Sequence, residues 1–251
     1  MRLQLRRLTR APAFAIASVL TLAIGIGANA AIFTVFNSVL LRPLPYEEPD
    51  ELVSVQHTAP GMGFPRIGQS ASQHITYREE TASFEDIGMW EAGTRSVTGL
   101  GEPEQVGTVV ATDAVLPLLR APMHLGRAFT REDDAPGAPE TVVLAFAYWR
   151  DRFGSDPGVV GRTLQVDGRA REVIGVLAEG FRFLDREPAI FLPMQLDRAA
   201  VRTGAFRYAG LARLEPGVTL DAASAELARV MPFAFERFPG GFTLAMMEEA
   251  R

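Results

Sequence analysis

"TVVLAFAYWRDRFGSDPGVVGRTLQVDGRAREVIGVL", residues 141 to 177, decides between two ways of building a mixed protein. Its first half reads as an apolar strand running quickly into a helix that Gly154 ends. Its second half is a hairpin, with Leu164 and Val166 on one arm and Val173 and Val176 on the other. Between them stand Asp167 and Gly168, the pair favoured in two-residue turns because both positions need positive φ. Strand, helix and then hairpin break the regular β-α alternation of a parallel fold, so the segment predicts α+β.

The same mixture extends in both directions. Downstream, "RYAGLARLEPGVT" reads as a strand closed by a Pro-Gly turn, and Thr219 caps a helix "LDAASAELARVM". Leu220, Ala223, Leu227, Val230 and Met231 share one face of that helix at 3.6-residue periodicity. "GGFTLAMMEEA" is expected as a last strand. Upstream, "EQVGTVVAT" and "ELVSVQHT" are strand-like, and "ASQHITYREETASFEDI" predicts a helix with Ser70 or Ser72 near its start. Asp113 is placed as the cap of a short helix, and Glu132-Asp133-Asp134 before Ala-Pro-Gly as a solvated turn. Two subdomains are expected.

The N-terminal end is different in kind. From residue 11 to residue 41 there is no charge, and most residues are Ala, Val, Ile, Leu, Phe or Gly. About 20 apolar residues in a helix cross a bilayer core of roughly 30 Å, so this run spans with length left for a stalk. Arg2, Arg6, Arg7 and Arg10 precede it and no acid does, which predicts a cytoplasmic N-terminus and translocation of the chain beyond the helix. Past residue 42 the balance reverses to 20 Arg against 30 Asp and Glu. The domains are therefore read as a basic cytoplasmic segment 1–11, a transmembrane helix with stalk 12–42 and an extracytoplasmic domain 43–251. A competing reading is a cleaved signal peptide, since Ala28-Asn-Ala30 has the A-x-A form, although the apolar run exceeds a usual signal core.

Within the block, Ala23, Gly27 and Ala31 repeat at four-residue spacing, and Gly25 with Asn29 makes a second such pair. These are candidate helix-packing residues, because small side chains let membrane helices approach closely. Gly25-Ile-Gly27-Ala-Asn-Ala30 also satisfies G-x-G-x-x-A, but it lies inside one apolar block and no acid follows at the spacing a ribose contact needs.

Composition removes whole classes of chemistry. All 25 basic residues are arginine, which excludes a P-loop lysine and a Schiff-base lysine. There is no cysteine, hence no thiol nucleophile, disulfide or cysteine metal site. The three histidines, His57, His74 and His124, are far apart in sequence, and no G-x-S-x-G elbow nominates a serine. No catalytic, cofactor-binding or metal-binding residues are assigned, and no nucleic-acid partner is expected.

Four stretches then carry a resemblance: residues 6–53, "VTGLGEPEQV" at 97–106, residues 125–181 from "LGRAFTREDDAPGAPE" through the hairpin to "AEGF", and "ARLEPGVTLDAASAEL" at 212–227. Together they resemble bacterial ABC-transporter permeases of the MacB/FtsX superfamily, nearest to the acidobacterial-type branch. The resemblance implies a MacB-like periplasmic core domain mounted on the first membrane helix, in the bacterial inner membrane. It also implies a separate cytoplasmic ABC ATPase subunit as partner, with the remaining permease helices or a second permease copy beside it in the lipid bilayer. Such permeases continue with three further membrane helices beyond the point where this sequence stops. One local departure is "LLRAPMHLGR", residues 118–127, where the family has a Gly-hydrophobic pair after the leucines. The alternative reading is a membrane-anchored periplasmic interaction module with no transport activity of its own.

Overall fold

A computed structural model describes residues 12–40, 45–241, 243 and 245, leaving aside the side chains of residues 12, 14–16, 18, 31, 32, 34–40 and 62. The chain divides into two compact units at Pro45 and Tyr46. The first holds helix α1, Pro12–Leu40, 29 residues long. Proline in the opening turn costs no hydrogen bond, because that N–H has no intrahelical partner anyway. At 1.5 Å per residue α1 is about 43 Å long. Gly25 and Gly27 sit in the middle of this unbroken helix, which removes the nucleotide-turn reading. Counted over the described side chains alone, no helix is long and apolar enough to cross a membrane.

Among the described residues the second unit is built on eleven strands and four α-helices. The strands are β1 Leu52–Val55, β2 His57–Ala59, β3 Phe64–Ile67, β4 Phe84–Thr98, β5 Glu104–Ala111, β6 Met123–Gly126, β7 Thr141–Leu144, β8 Thr163–Val166, β9 Arg169–Leu177, β10 Ile190–Pro193 and β11 Ala209–Leu214. The helices are α2 Ala71–Glu80, α3 Val115–Leu118, α4 Phe146–Phe153 and α5 Leu220–Arg237. Nine strands form one mixed sheet in the order β1-β11-β4-β5-β10-β7-β9-β6, with β8 bridging β4 and β9, while β2 and β3 make a separate ribbon.

The bridge by β8 closes a ring. β4 pairs β5, β5 pairs β10, β10 pairs β7, β7 pairs β9, β9 pairs β8, and β8 returns to the tip of β4 at Val97 and Thr98. The hairpin read from sequence is what closes it. Asp167 and Gly168 both have positive φ, as a two-residue turn requires. The turn then seats on β4, because Asp167 N donates to Ser96 O at 2.8 Å and Ser96 N donates to the Asp167 carboxylate at 2.9 Å.

Alternation along the strands sorts the side chains into two cores. Val97, Val106, Val142, Leu144, Leu164, Val166, Val173, Ile190 and Leu192 make one cluster, capped by Tyr148 and Trp149 of α4. The intervening residues Val109, Ala111, Val143, Ile174 and Phe191 belong to a second cluster with α3, Trp90 and Phe183. A third core lies where β1, β11 and the first half of β4 meet α2 and α5, around Tyr77, Ile87, Ala212 and Val230. The fold is thus α+β as expected. The expected two subdomains are not separate units: residues 46–251 form one compact unit, because the 15-residue β4 runs through both ends of a single sheet.

Several local expectations are corrected. The helix at 71–87 stops at Glu80, since Thr81 is extended and Phe84 already begins β4. Ser70 caps it with a full capping box to Gln73. α5 continues through Pro232 to Arg237, which brings Ala234 into the core, whereas Leu220 at its start is 59% exposed. Asp113 caps nothing, because α3 is preceded by Ala114 with no side-chain cap. The expected strand "GGFTLAMMEEA" falls largely outside the described residues. At "LLRAPMHLGR", Arg120 occupies the left-handed region at φ 49°, where a glycine would be free of strain, and its guanidinium pairs with Glu85 through two 2.7 Å bonds.

Candidate functional site

Of the residues expected to pack helices, Ala23, Gly25, Gly27, Asn29 and Ala31 all lie on α1. The first four are exposed, and space is open where a Cβ would stand on Gly25 and Gly27. A regular helix puts Ala23, Gly27 and Ala31 along one side and Gly25 with Asn29 on roughly the opposite one. The helix therefore offers two narrow small-residue faces, flanked by exposed Val19, Leu20, Leu22, Ile24, Ile26 and Phe33. Arg2, Arg6, Arg7 and Arg10 lie outside the described residues.

In the domain the densest charged geometry is a junction that sequence reading missed. Arg78 on α2 donates Nε and Nη2 to the two oxygens of Asp86, each at 2.7 Å. It also donates Nη1 and Nη2 to those of Asp113 at 2.6 and 2.9 Å. Burial works against the Arg78 charge, but the two carboxylates outweigh it and raise its pKa. Burial likewise opposes ionisation of Asp113, and Arg78 with more distant Arg131 reverses that and holds it below the ordinary carboxylate value.

The junction continues into the acid turn. Asp113 N donates to Asp134 Oδ2 at 3.1 Å, and Gln195 N donates to Asp134 Oδ1 at 2.6 Å. Asp133 accepts from Thr130 N at 2.7 Å and Thr130 Oγ1 at 3.0 Å, and pairs with Arg127. The solvated-turn reading of these acids is therefore wrong for Asp133 and Asp134. Both carboxylates staple loops by accepting backbone N–H groups that no sheet satisfies. Burial pushes the Asp134 carboxyl up to about 6.

Two histidines stand close by. His74, one turn before Arg78, is pushed down to about 3 by burial and then by Arg78, and His57 is pushed down to about 4 by burial. His57 packs on the Tyr77 ring at 5.6 Å between centroids. His124 instead packs edge-on against Phe146 and tilted against Trp149, so the three histidines do not converge on one centre. Among the described residues no group of three His, Asp or Glu is arranged to hold a metal.

Two of the clefts on the domain lie beside these residues or the aromatic ones. One of about 340 Å³ borders the junction, lined by His74, Arg78, Asp113, Arg131 and Asp134 among others. The other, about 620 Å³, lies between α4 and the loop before β10, over Phe146, Phe181 and Phe183. Phe183 and Phe191 are core, while half-buried Phe181 contributes to the wall of this second cleft.

The arrangement of these elements matches a known family: the family model described as MacB-like periplasmic core domain matches residues 15–230. The chain belongs to the MacB-like periplasmic core domain family. Its fold is shared with solved structures at low identity. A domain of a permease protein from Porphyromonas gingivalis is 18% identical with a TM-score of 0.58, over 78% of this chain and 85% of that one. The periplasmic region of MacB from Actinobacillus actinomycetemcomitans is 15% identical with a TM-score of 0.55, over 74% and 83%. The extracellular domain of the noncanonic ABC-type transporter YknZ from Gram-positive bacteria is 16% identical with a TM-score of 0.51, over 66% and 83%. No curated protein matches the chain. This MacB-like domain is thus of the kind found in ABC-type permeases, outside the cytoplasm.

Within the MacB-like domain, reading the sequence left out Arg78 and Arg213, and placed Asp134 only in a solvated turn. Only Arg213 had a visible signal, a lone charge inside the apolar strand "YAGLARL".

Proposed function

We propose that this chain is the N-terminal part of an ABC-transporter permease subunit, of the efflux or mechanotransmission type, that couples a separate ATPase to an extracytoplasmic domain. In this reading residues 1–11 are cytoplasmic, 12–42 form the transmembrane helix with its stalk, and 43–251 are periplasmic. The observation that carries it is the reach of the family match, which begins at residue 15 inside α1 and runs into α5. Support also comes from the 29-residue uncharged helix and from the arginines before it. The charge junction supports a structural and not a catalytic use of its acids, since each carboxylate is spent on a guanidinium or on backbone N–H groups. Movement passed from membrane helix to domain is then the output, with no reaction of its own.

Affinity purification of the tagged full chain from bacterial membranes tests this. Recovery of an ABC ATPase together with permease membrane helices is the expected result. Recovery of envelope proteins alone overturns it in favour of the membrane-anchored interaction module, which uses the same scaffold.

A further inference from the structure

The first residues of the domain are fastened to the sheet by a buried arginine. Arg213, in β11 directly opposite Leu52 of β1, is 0% exposed. Its Nε and Nη2 donate to Leu118 O at 3.2 and 2.7 Å. That carbonyl is the last of α3, which helix geometry leaves without a partner. Its Nη1 donates to Glu48 O at 3.0 Å, and the nearest carboxylate oxygen, on Glu51, is 3.6 Å away. One guanidinium therefore joins β11, the end of α3 and the segment leading in from Pro45.

A second fastening lies two residues earlier. Tyr46 Oη donates to Arg182 O at 2.8 Å and accepts from Leu184 N at 2.7 Å, while its ring packs on Phe181. Backbone strain marks the same places. Of the seven described non-glycine residues with positive φ, three are Glu48, Arg120 and Leu184. Glu48 and Leu184 carry backbone groups that these two side chains bind, and Arg120 turns the chain just after Leu118. Left-handed backbone at such residues persists only where surroundings hold it.

We infer that Arg213 and Tyr46 form a mechanical anchor, through which load arriving along the chain at Pro45 is passed into β11 and the loop before β10. Arg213 acts here as a positioning residue. A charge with hydrogen bonds to carbonyls of two separate segments resists displacement in several directions at once, which an apolar side chain of equal size does not. The anchor rests on the proposed function for its purpose, since a moving α1 is what would load residue 45.

Single-molecule pulling of the full chain in detergent micelles tests it, using the absence of native cysteine to place handles. Pro45→Cys with Gly241→Cys applies load at the anchor, and Glu102→Cys with Gly241→Cys applies it through the β4–β5 turn. Arg213→Met and Tyr46→Phe are each expected to lower the first rupture force by a third or more with the handle at 45, and to leave it within error with the handle at 102. An equal drop in both geometries makes these residues merely structural, and no drop at 45 removes the anchor altogether. Should Arg213→Met not fold, Tyr46→Phe, which keeps the ring on Phe181, decides by the same two criteria. Failure to recover an ATPase in the purification above does not alter the pulling result, so the two readings fall separately.

Discussion

Arg78 shows what a single side chain contributes when its charge is shared. Its five donors in a planar fork meet four carboxylate oxygens from β4 and from the turn that follows β5, so α2 is tied to both segments. Removing one member of a largely buried ion group leaves the others uncompensated, at a cost of about 3 kcal/mol. Arg78→Met is expected to lower the stability measured by chemical denaturation by that amount, and an effect below about 1 kcal/mol, as for surface pairs, sinks the assignment. The histidines give a pH dependence. His57 and His74 have folded pKa values of about 4 and about 3 against an ordinary 6.5, so the unfolded chain binds protons first as pH falls. Their contribution is complete above about pH 6.5 and is lost toward pH 4 and below, at up to about 1.4 kcal/mol per pH unit for each. Asp134 runs the other way. Its folded pKa of about 6 lies above an ordinary 3.8, so between those values it favours the folded state increasingly as pH falls. Two losses exceed one gain, and denaturation midpoints are expected to decline from pH 6.5 to pH 4. His74→Leu flattens that decline, and an unchanged slope refutes the role of burial.

At the scale of elements, α2 is short and of low apolar content, and its stability depends on its ends and on packing against α5. The capping box at Ser70 satisfies N–H groups at both the cap and the third helical position. Ser70→Ala is expected to cost about 1 kcal/mol, read by denaturant titration, with fraying of α2 seen by amide exchange. For α1 the element-scale question is association. Gly27→Leu fills the narrow face shared with Ala23 and Ala31 and is expected to abolish crosslinking to partner helices while leaving membrane insertion intact. Crosslinking that persists in this variant removes the packing role of that face, and attention passes to Gly25 and Asn29 on the other side.

For the whole molecule, orientation is the property on which the proposed function depends. Replacing Arg2, Arg6, Arg7 and Arg10 together by neutral residues is expected to give mixed topology, measured by protease accessibility of the domain in spheroplasts and inverted vesicles. A domain that still lies uniformly on one side shows that signals beyond the four arginines set its orientation. Legibility in the sequence differs by feature. The α+β class, the Asp167-Gly168 hairpin, the strand–helix unit ending at Gly154 and the cap at Thr219 were all readable, because each depends on neighbours within a few residues. The β4 boundary, the use of Asp113 and the stapling by Asp133 and Asp134 were not, since an acid before Pro-Gly looks the same whether its partners are water or a distant stretch of backbone.

By itself the sequence determined periodicity, turns, caps and the long uncharged helix, together with the exclusion of lysine and cysteine chemistry, because those depend on residue type and short spacing. Only the tertiary structure decided that one hairpin closes a six-stranded ring, that β4 serves all three cores, and that Arg213 reaches Leu118 and Glu48. Those facts join residues 95 and 165 positions apart, and such distances are bridged by the burial of alternating apolar faces, which fixes where polar groups meet without leaving a local mark.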